Sequence, residues 1–549
     1  MPNHISRGLL LLILLWRCAT PEIYPQSGIV PPTRIPGGGY RIAGTVVSKA
    51  DGHPLARARI FVTNVKDQKS VQSMVTADDG KFEFSGLPAA KFSLTGVKRG
   101  YIGSAYEQHG QFSTAIVTGA GIDTEALLLR LPPAALIRGK VLDEAGEPVR
   151  NARITAYYDD HSLGVSHIHA AHTAQTNDQG SYEITPLTPG TYFLSAQAEP
   201  WYAVHPISPS EGQPAPTSVD RSLDVAYPLT YFADATDAES AVPIPIQGGE
   251  RLQADFHLNP VPALRLVFQV PETGERGYNF PQLQQPAFDG YTFVNGVSRV
   301  ISPGLLEISG VPAGRYDLRI WREGSGLQMN GLDINTNGQE IDTTSSEPLS
   351  TIKVAVKVPE EATLPPQLGV GLRSGRRMLS AWQQIDAKGQ ATFLQIPSGR
   401  YQLLVGNPGK PHFIAHASAD GAEISGHTLT VTPGSSPSVS LTLTGTTGEI
   451  HGVVKRAGKP FAGAMVVLVP KGTDPEVDLF RRDQSDLDGT FSLQAVIPGS
   501  YTITAIENGW DLDWSQPGTI AAYFKHGQTI DVEADRVIEL KEAVELQSK

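Results

Sequence analysis

Five times along this chain a glycine is followed 12 residues later by an aromatic, with alternating apolar residues and a Pro- or Gly-containing turn between them. The first copy runs Gly80, Phe82, Phe84, Leu87, Pro88, Phe92, and the second Gly180, Tyr182, Ile184, Leu187, Pro189, Gly190, Tyr192. Gly304 leads to Tyr316, Gly389 to Tyr401 and Gly489 to Tyr501 in the same way. A repeat of this kind constrains the architecture more than composition does, because each copy must be one recurring supersecondary unit. The approach to the glycine is rich in Asp and Asn, as in Asp78-Asp79-Gly80 and Asn177-Asp178-Gln179-Gly180, which suits a turn with a left-handed position. Period-two apolar residues then define a strand with one buried face, and the second turn returns the chain as another strand.

A second motif opens three of the copies: Ile42-Ala43-Gly44 to Gly52-His53-Pro54 and Ala58, Ile137-Arg138-Gly139 to Gly146-Glu147-Pro148 and Ala152, and Ile450-His451-Gly452 to Gly458-Lys459-Pro460 and Ala464. It reads strand, tight turn, strand. Charged residues are only 18% of the 549, while 55 Gly and 42 Pro supply many turns, and no convincing amphipathic helix intervenes. Short strands at such spacing predict an all-β chain, a tandem array of antiparallel seven-stranded β-sandwiches.

These motifs, I-x-G-x-V, G-x-P-x-x-x-A and D-x-x-G-x-[FY]-x-[FIL] ending in P-G-x-Y, resemble the carboxypeptidase regulatory-like domain, also called transthyretin-like or prealbumin-like. That domain is related in fold to carbohydrate-binding-like and surface-protein B-type domains. Copies one, two and five carry the resemblance, and copies three and four keep only the hairpin. The boundaries expected are 41–133, 134–261 with a long insertion, 262–349, 350–447 and 448–549. Short joints such as Leu131-Pro132-Pro133 predict a semi-rigid rod, with polar excursions at about Gln197 to Arg251 and Asn330 to Ser350.

Residues Leu9 to Trp16 form a short apolar run after Arg7, which predicts a signal peptide over 1–20, followed by a Pro/Gly-rich tether over 21–40. The rival reading acylates Cys18, although Leu15, Trp16 and Arg17 are not the small residues a lipoprotein signal wants. No later stretch is long enough for a transmembrane helix, so the mature chain is expected to be secreted or held at the cell envelope, periplasmic or extracellular. A net charge of −12 without a basic run excludes a nucleic-acid partner. The single cysteine excludes an intrachain disulfide.

Chemistry is sparse. The resemblance invites a zinc carboxypeptidase, but none of the 14 histidines is followed three residues later by Glu, and H-E-x-x-H and G-x-S-x-G are absent. No catalytic residue and no cofactor are expected. The segment Asp159 to His172 holds His161, His167, His169 and His172; His167, His169 and His172 are candidate metal ligands, against the alternative of a polar hairpin loop. The acidic turns at Asp78-Asp79-Gly80 and Asp486-Leu487-Asp488-Gly489 have too few ligands for Ca²⁺ and read as turn chemistry.

One further feature recurs: an aromatic nine residues after the turn aromatic, Tyr101, Trp201 and Trp510. With Tyr202 and Trp514 beside them, these are candidate ligand-binding residues, since a pyranose stacks on a ring while flanking polar groups such as Asp511 and Asp513 take its hydroxyls. The alternative is that each ring anchors the return strand. The leading expectation is a non-catalytic recognition protein, with polysaccharide or another envelope protein as partner. A structural stalk or protein-interaction rod, and an accessory part of a peptidase or other enzyme system, are the alternatives.

Overall fold

The computed structural model describes residues 38–206, 208, 220–270, 281–322, 325–343, 346–359, 363–374, 381–408, 411–472 and 477–549. The expected signal segment, Cys18 and nearly all of the tether lie outside the described residues.

In the first sandwich, one sheet has the order Lys81–Leu87, Tyr40–Ser48, Leu127–Leu131. The other runs Val71–Val75, Arg59–Asn64, Lys91–Val97, and the last of these also pairs with Ser104–Ala105 and Ile116–Val117. The two short pieces divide between them the place of a single strand. Alternation decides which face is inside: along Lys81–Leu87, Phe82, Phe84 and Leu87 are buried while Lys81, Glu83 and Ser85 are exposed. Ile42, Val46, Ile60, Val62, Phe92 and Leu129 close the core between the sheets.

The plan is repeated around separate cores centred on Ile137, Ile154 and Phe256, on Leu266, Phe268 and Leu318, on Ile352, Val370 and Leu403, and on Ile450, Val466 and Ile503. Pairing is mostly antiparallel, but each sandwich contains a parallel pairing between its first strand and a strand near its end, as between Tyr40–Ser48 and Leu127–Leu131 or Ser350–Lys357 and Ser438–Thr444. In the fifth, Val544–Ser548 pairs with both Gly448–Arg456 and Gly499–Glu507 and so joins the two sheets.

The repeated glycine and aromatic have concrete work. Gly80, Gly180, Gly304, Gly389 and Gly489 all lie at φ between +67° and +80°. Each carbonyl accepts the same bond, from the amides of Val46, Val141, Val270, Val356 and Val454, at 2.7–2.9 Å. The aromatics Phe92, Tyr192, Tyr316, Tyr401 and Tyr501 are all buried. Each tyrosine hydroxyl donates to the carbonyl four residues earlier, on Thr188, Pro312, Pro397 and Ile497, at 2.7–3.1 Å. A buried phenol needs such a partner, and the bond pins the preceding turn to the strand.

Three copies share a clamp that the repeat motifs do not include. Thr76, Thr176 and Ser485, each four residues before the turn glycine, donate to the carbonyls of Leu55, Val149 and Phe461 at 2.6–2.8 Å. Their hydroxyls accept from the amides of Ala58, Ala152 and Ala464 at 2.8–3.0 Å.

The sandwiches do not extend as the expected rod. The fifth packs back on the first and second, through contacts between Arg481–Gln484 and its following turn and the loops of those two sandwiches. The hairpin tip Phe288-Asp289 of the third inserts into the second: the Phe288 ring lies 4.8 Å from Tyr157, 4.9 Å from Phe193 and 5.5 Å from Tyr231. The Asp289 carboxylate takes the Ile168 amide at 2.7 Å. Short joints limit bending, but they do not dictate direction; complementary loops at the sandwich ends do.

Part of the predicted excursion after Gln197 is ordered against the second sandwich, with Tyr227, Leu229 and Tyr231 buried. Its Ser208 reaches the third sandwich, where amide and hydroxyl satisfy the fully buried Glu307 carboxylate at 2.9 and 2.6 Å.

Candidate functional site

The return of the fifth sandwich rests on a polar strand, Arg481–Gln484, and the turn that follows it. Gln484 is buried against the first sandwich: its amide nitrogen donates to the Glu107 carbonyl at 2.6 Å and the Thr114 hydroxyl at 2.8 Å, and its oxygen lies 3.0 Å from His109 Nδ1. The Asp486 carboxylate takes the Lys91 ammonium at 2.5 Å and the Ala115 amide at 2.9 Å, while Leu487 N donates to Ala115 O at 3.0 Å. Burial raises the pKa of Asp486, partly offset by Lys91. Burial also pushes Asp483 up to about 6, against two backbone amides that favour its carboxylate.

Against the second sandwich, the contact is the loop between Arg153–Asp160 and His167–Gln175. The Ser515 amide and hydroxyl both donate to Gly164 O, at 3.1 and 2.9 Å. His161 stands between Asp513 and Asp159, its Nδ1 2.9 Å from the first and its Nε2 3.4 Å from the second. Arg482 donates to Ser162 O at 3.1 Å, with its guanidinium 4.1 Å over the Trp514 ring and 5.2 Å from that of Phe112. Burial lowers its pKa to about 10.

Between the three sandwiches this leaves a cavity of about 620 Å³. Its aromatic side is Trp510 stacked on His109, with centroids 4.9 Å apart and planes within 4°, and Phe112 at 5.4 Å. Its polar side carries Asp160, His161, Arg482 and Asp511. Rings beside hydrogen-bonding groups, in a cavity of this size at a domain junction, are suited to a polar ligand with an apolar face.

The candidate residues distribute unevenly. Trp510 is half-buried at the cavity, and Trp514 is 6% exposed, packed on Phe480 and Arg482, so Trp514 presents no open ring face. Tyr101 lies at the joint of the first two sandwiches, bridged to Pro133 and packed on the first core. Trp201 is 82% exposed and meets Tyr202 edge-on at 5.8 Å. The Tyr202 and Tyr227 hydroxyls both bond the Glu144 carboxylate, which holds this second platform in place.

The histidine segment is a hairpin loop only at 161–166; His167–Gln175 is a strand. His167 and His169 stack at 5.2 Å, as their spacing implies, but a bulge opposite Ala156 and Tyr157 separates His172 from them. Among the described residues no group of three or more His, Cys, Asp or Glu could hold a metal ion. The sequence motifs reach Trp510, His161 and Asp511 but not His109, Phe112, Arg482 or Gln484. The available signal was a strand, Arg481-Arg482-Asp483-Gln484, with no apolar position at all.

No helix among the described residues is long and apolar enough to cross a membrane. No curated protein matches the chain in sequence. Solved structures with similarity include the Bacillus anthracis TIE protein, 12% identical with a TM-score of 0.18 and covering 74% of each chain. GBS52, the minor pilin of Streptococcus agalactiae, is 13% identical with a TM-score of 0.22, covering 43% of this chain and 100% of its own. Nothing about function follows from similarity at that level. The family model that matches is the carboxypeptidase regulatory-like domain, over residues 41–118 and 136–220, so the resemblance carried by the I-x-G and G-x-P motifs holds for the first two sandwiches.

Proposed function

We propose that this chain is a non-catalytic recognition protein that works outside the cytoplasm and binds carbohydrate in the cleft between its first, second and fifth sandwiches. The observation that carries the reading is the cleft itself, a cavity of about 620 Å³ lined by the Trp510, His109 and Phe112 rings together with Asp160, His161, Arg482 and Asp511. The apolar run at Leu9 to Trp16 supports export. The exposed Trp201 ring, fixed through Tyr202 and Glu144, supplies a second surface of the same chemistry.

The test is titration of the purified chain with a polysaccharide panel, read by tryptophan fluorescence, with Trp510→Ala, Trp510→Phe and Trp201→Ala beside the parent. Saturable binding lost in Trp510→Ala and retained in part by Trp510→Phe supports the cleft. Loss in Trp201→Ala alone moves the site to the second platform. Absence of saturable binding to every glycan refutes the carbohydrate reading and leaves recognition of a protein partner.

A further inference from the structure

We propose that the cleft selects saccharides bearing free amines, such as oligomers of a 2-amino sugar, over neutral and acidic ones; the proposal rests on the carbohydrate reading above. The cavity and its ring wall make the site, and the charges around it set the ligand class. Three carboxylates line it, from Asp159, Asp160 and Asp511, with a fourth, Asp513, on the His161 imidazole. Against them stand the Arg482 guanidinium, His161 between Asp159 and Asp513, and the Lys549 ammonium on Asp511, so carboxylates still outnumber the fixed cations. That guanidinium is committed to the Trp514 ring and the Ser162 carbonyl. Burial lowers the His109 pKa and so disfavours its charged form.

An anionic sugar would therefore enter a field of its own sign, and a cationic one a field of the opposite sign, in a partly desolvated cleft where the effect is larger than in open water. The molecule already shows the pairing. The Lys549 ammonium lies on both carboxylate oxygens of Asp511, so a primary amine of the chain holds the exposed carboxylate at the cleft. The Arg482 guanidinium, 5.2 Å from the Phe112 ring, shows in turn that the ring wall accepts a cation. A ligand amine would compete with the partly exposed Lys549 side chain for Asp511.

The experiment is calorimetric titration of the full chain with three hexamers: glucosamine, N-acetylglucosamine and galacturonate, below the pKa of the amine. The expected result is glucosamine hexamer binding about tenfold tighter than its acetylated form, with no galacturonate binding. Asp511→Asn and Asp160→Asn are each expected to weaken the glucosamine hexamer by about threefold and leave the acetylated one unchanged. Lys549→Ala, which removes the competing amine, is expected to strengthen the glucosamine hexamer alone. Asp511 is exposed, so its variant folds whatever Asp160→Asn does. Equal or tighter binding of the acetylated or acidic hexamer overturns the charge selection and leaves the carbohydrate reading standing. No binding of any hexamer overturns the selection, and failure of the wider panel as well overturns the reading beneath it.

Discussion

Gly164→Ala tests whether the cleft is assembled by the fifth sandwich closing on the second. Gly164 has φ +79°, and a Cβ there would lie 2.6 Å from Ser515 Cβ and Oγ and 2.7 Å from Ser515 N. The left-handed backbone costs an alanine about 1 kcal/mol. Displacing Ser515 removes two hydrogen bonds to Gly164 O, about 1 kcal/mol each. The backbone strain is present whether the contact is open or closed, so the two lost bonds set the effect, about 2 kcal/mol or a factor of roughly thirty in its opening equilibrium. Gly146→Ala is the matched control, since Gly146 has φ +78° in the same sandwich and a Cβ added there would meet nothing within 4 Å. Hydrogen exchange reads the difference directly: the Ser515 amide should exchange about thirtyfold faster in Gly164→Ala and unchanged in Gly146→Ala. The Leu487 amide, bonded to Ala115 O, reports whether the contact with the first sandwich opens too. Equal Ser515 protection in both variants would refute the claim that this contact holds the cleft closed.

Thr176→Val leaves the Val149 carbonyl and Ala152 amide without their shared hydroxyl and is expected to cost about 2–3 kcal/mol by denaturant unfolding, with Thr176→Ser recovering most of it. Phe288 holds φ +51°, so Phe288→Gly should be more stable than Phe288→Ala by about 1 kcal/mol, although both lose the aromatic contacts; the reverse order in thermal melts would show that backbone strain at this tip is negligible. Asp483, at about 6 in the folded chain against 3.8 for its ordinary value, binds more protons folded than unfolded between those values. Its contribution to stability is therefore present at low pH and lost as pH rises from about 4 to 6. Asp483→Asn should gain on the parent across that window and hold the difference above it, and a difference independent of pH would contradict the burial argument.

The repeated hairpin was legible because its determinants lie within a few residues of one another. Gly80 and its four equivalents announce a left-handed turn, and the aromatic 12 residues on announces a strand returning to the core. The hydroxyl clamp at Thr76, Thr176 and Ser485 was equally periodic but less conspicuous, since threonine and serine are common in turns. Trp510 was singled out by its spacing, yet spacing alone could not separate it from Tyr101, which lies at a domain joint, or from Trp201, which stands in solvent. All three follow the same local motif and differ only in what another sandwich brings against them.

Alternation of apolar residues, turn glycines and buried aromatics are short-range instructions, and they are enough to specify an all-β sandwich in each repeat, because a strand's buried face is set by its own pleat and its nearest turns. The path of the array is of another kind. Lys91 meets Asp486, His109 stacks on Trp510 and Gly164 receives Ser515 across hundreds of intervening residues, through exposed loops whose composition differs little from any solvated turn. Such contacts depend on the relative placement of whole sandwiches, which no local periodicity encodes, and for that reason the cleft and its charge belong to the tertiary structure alone.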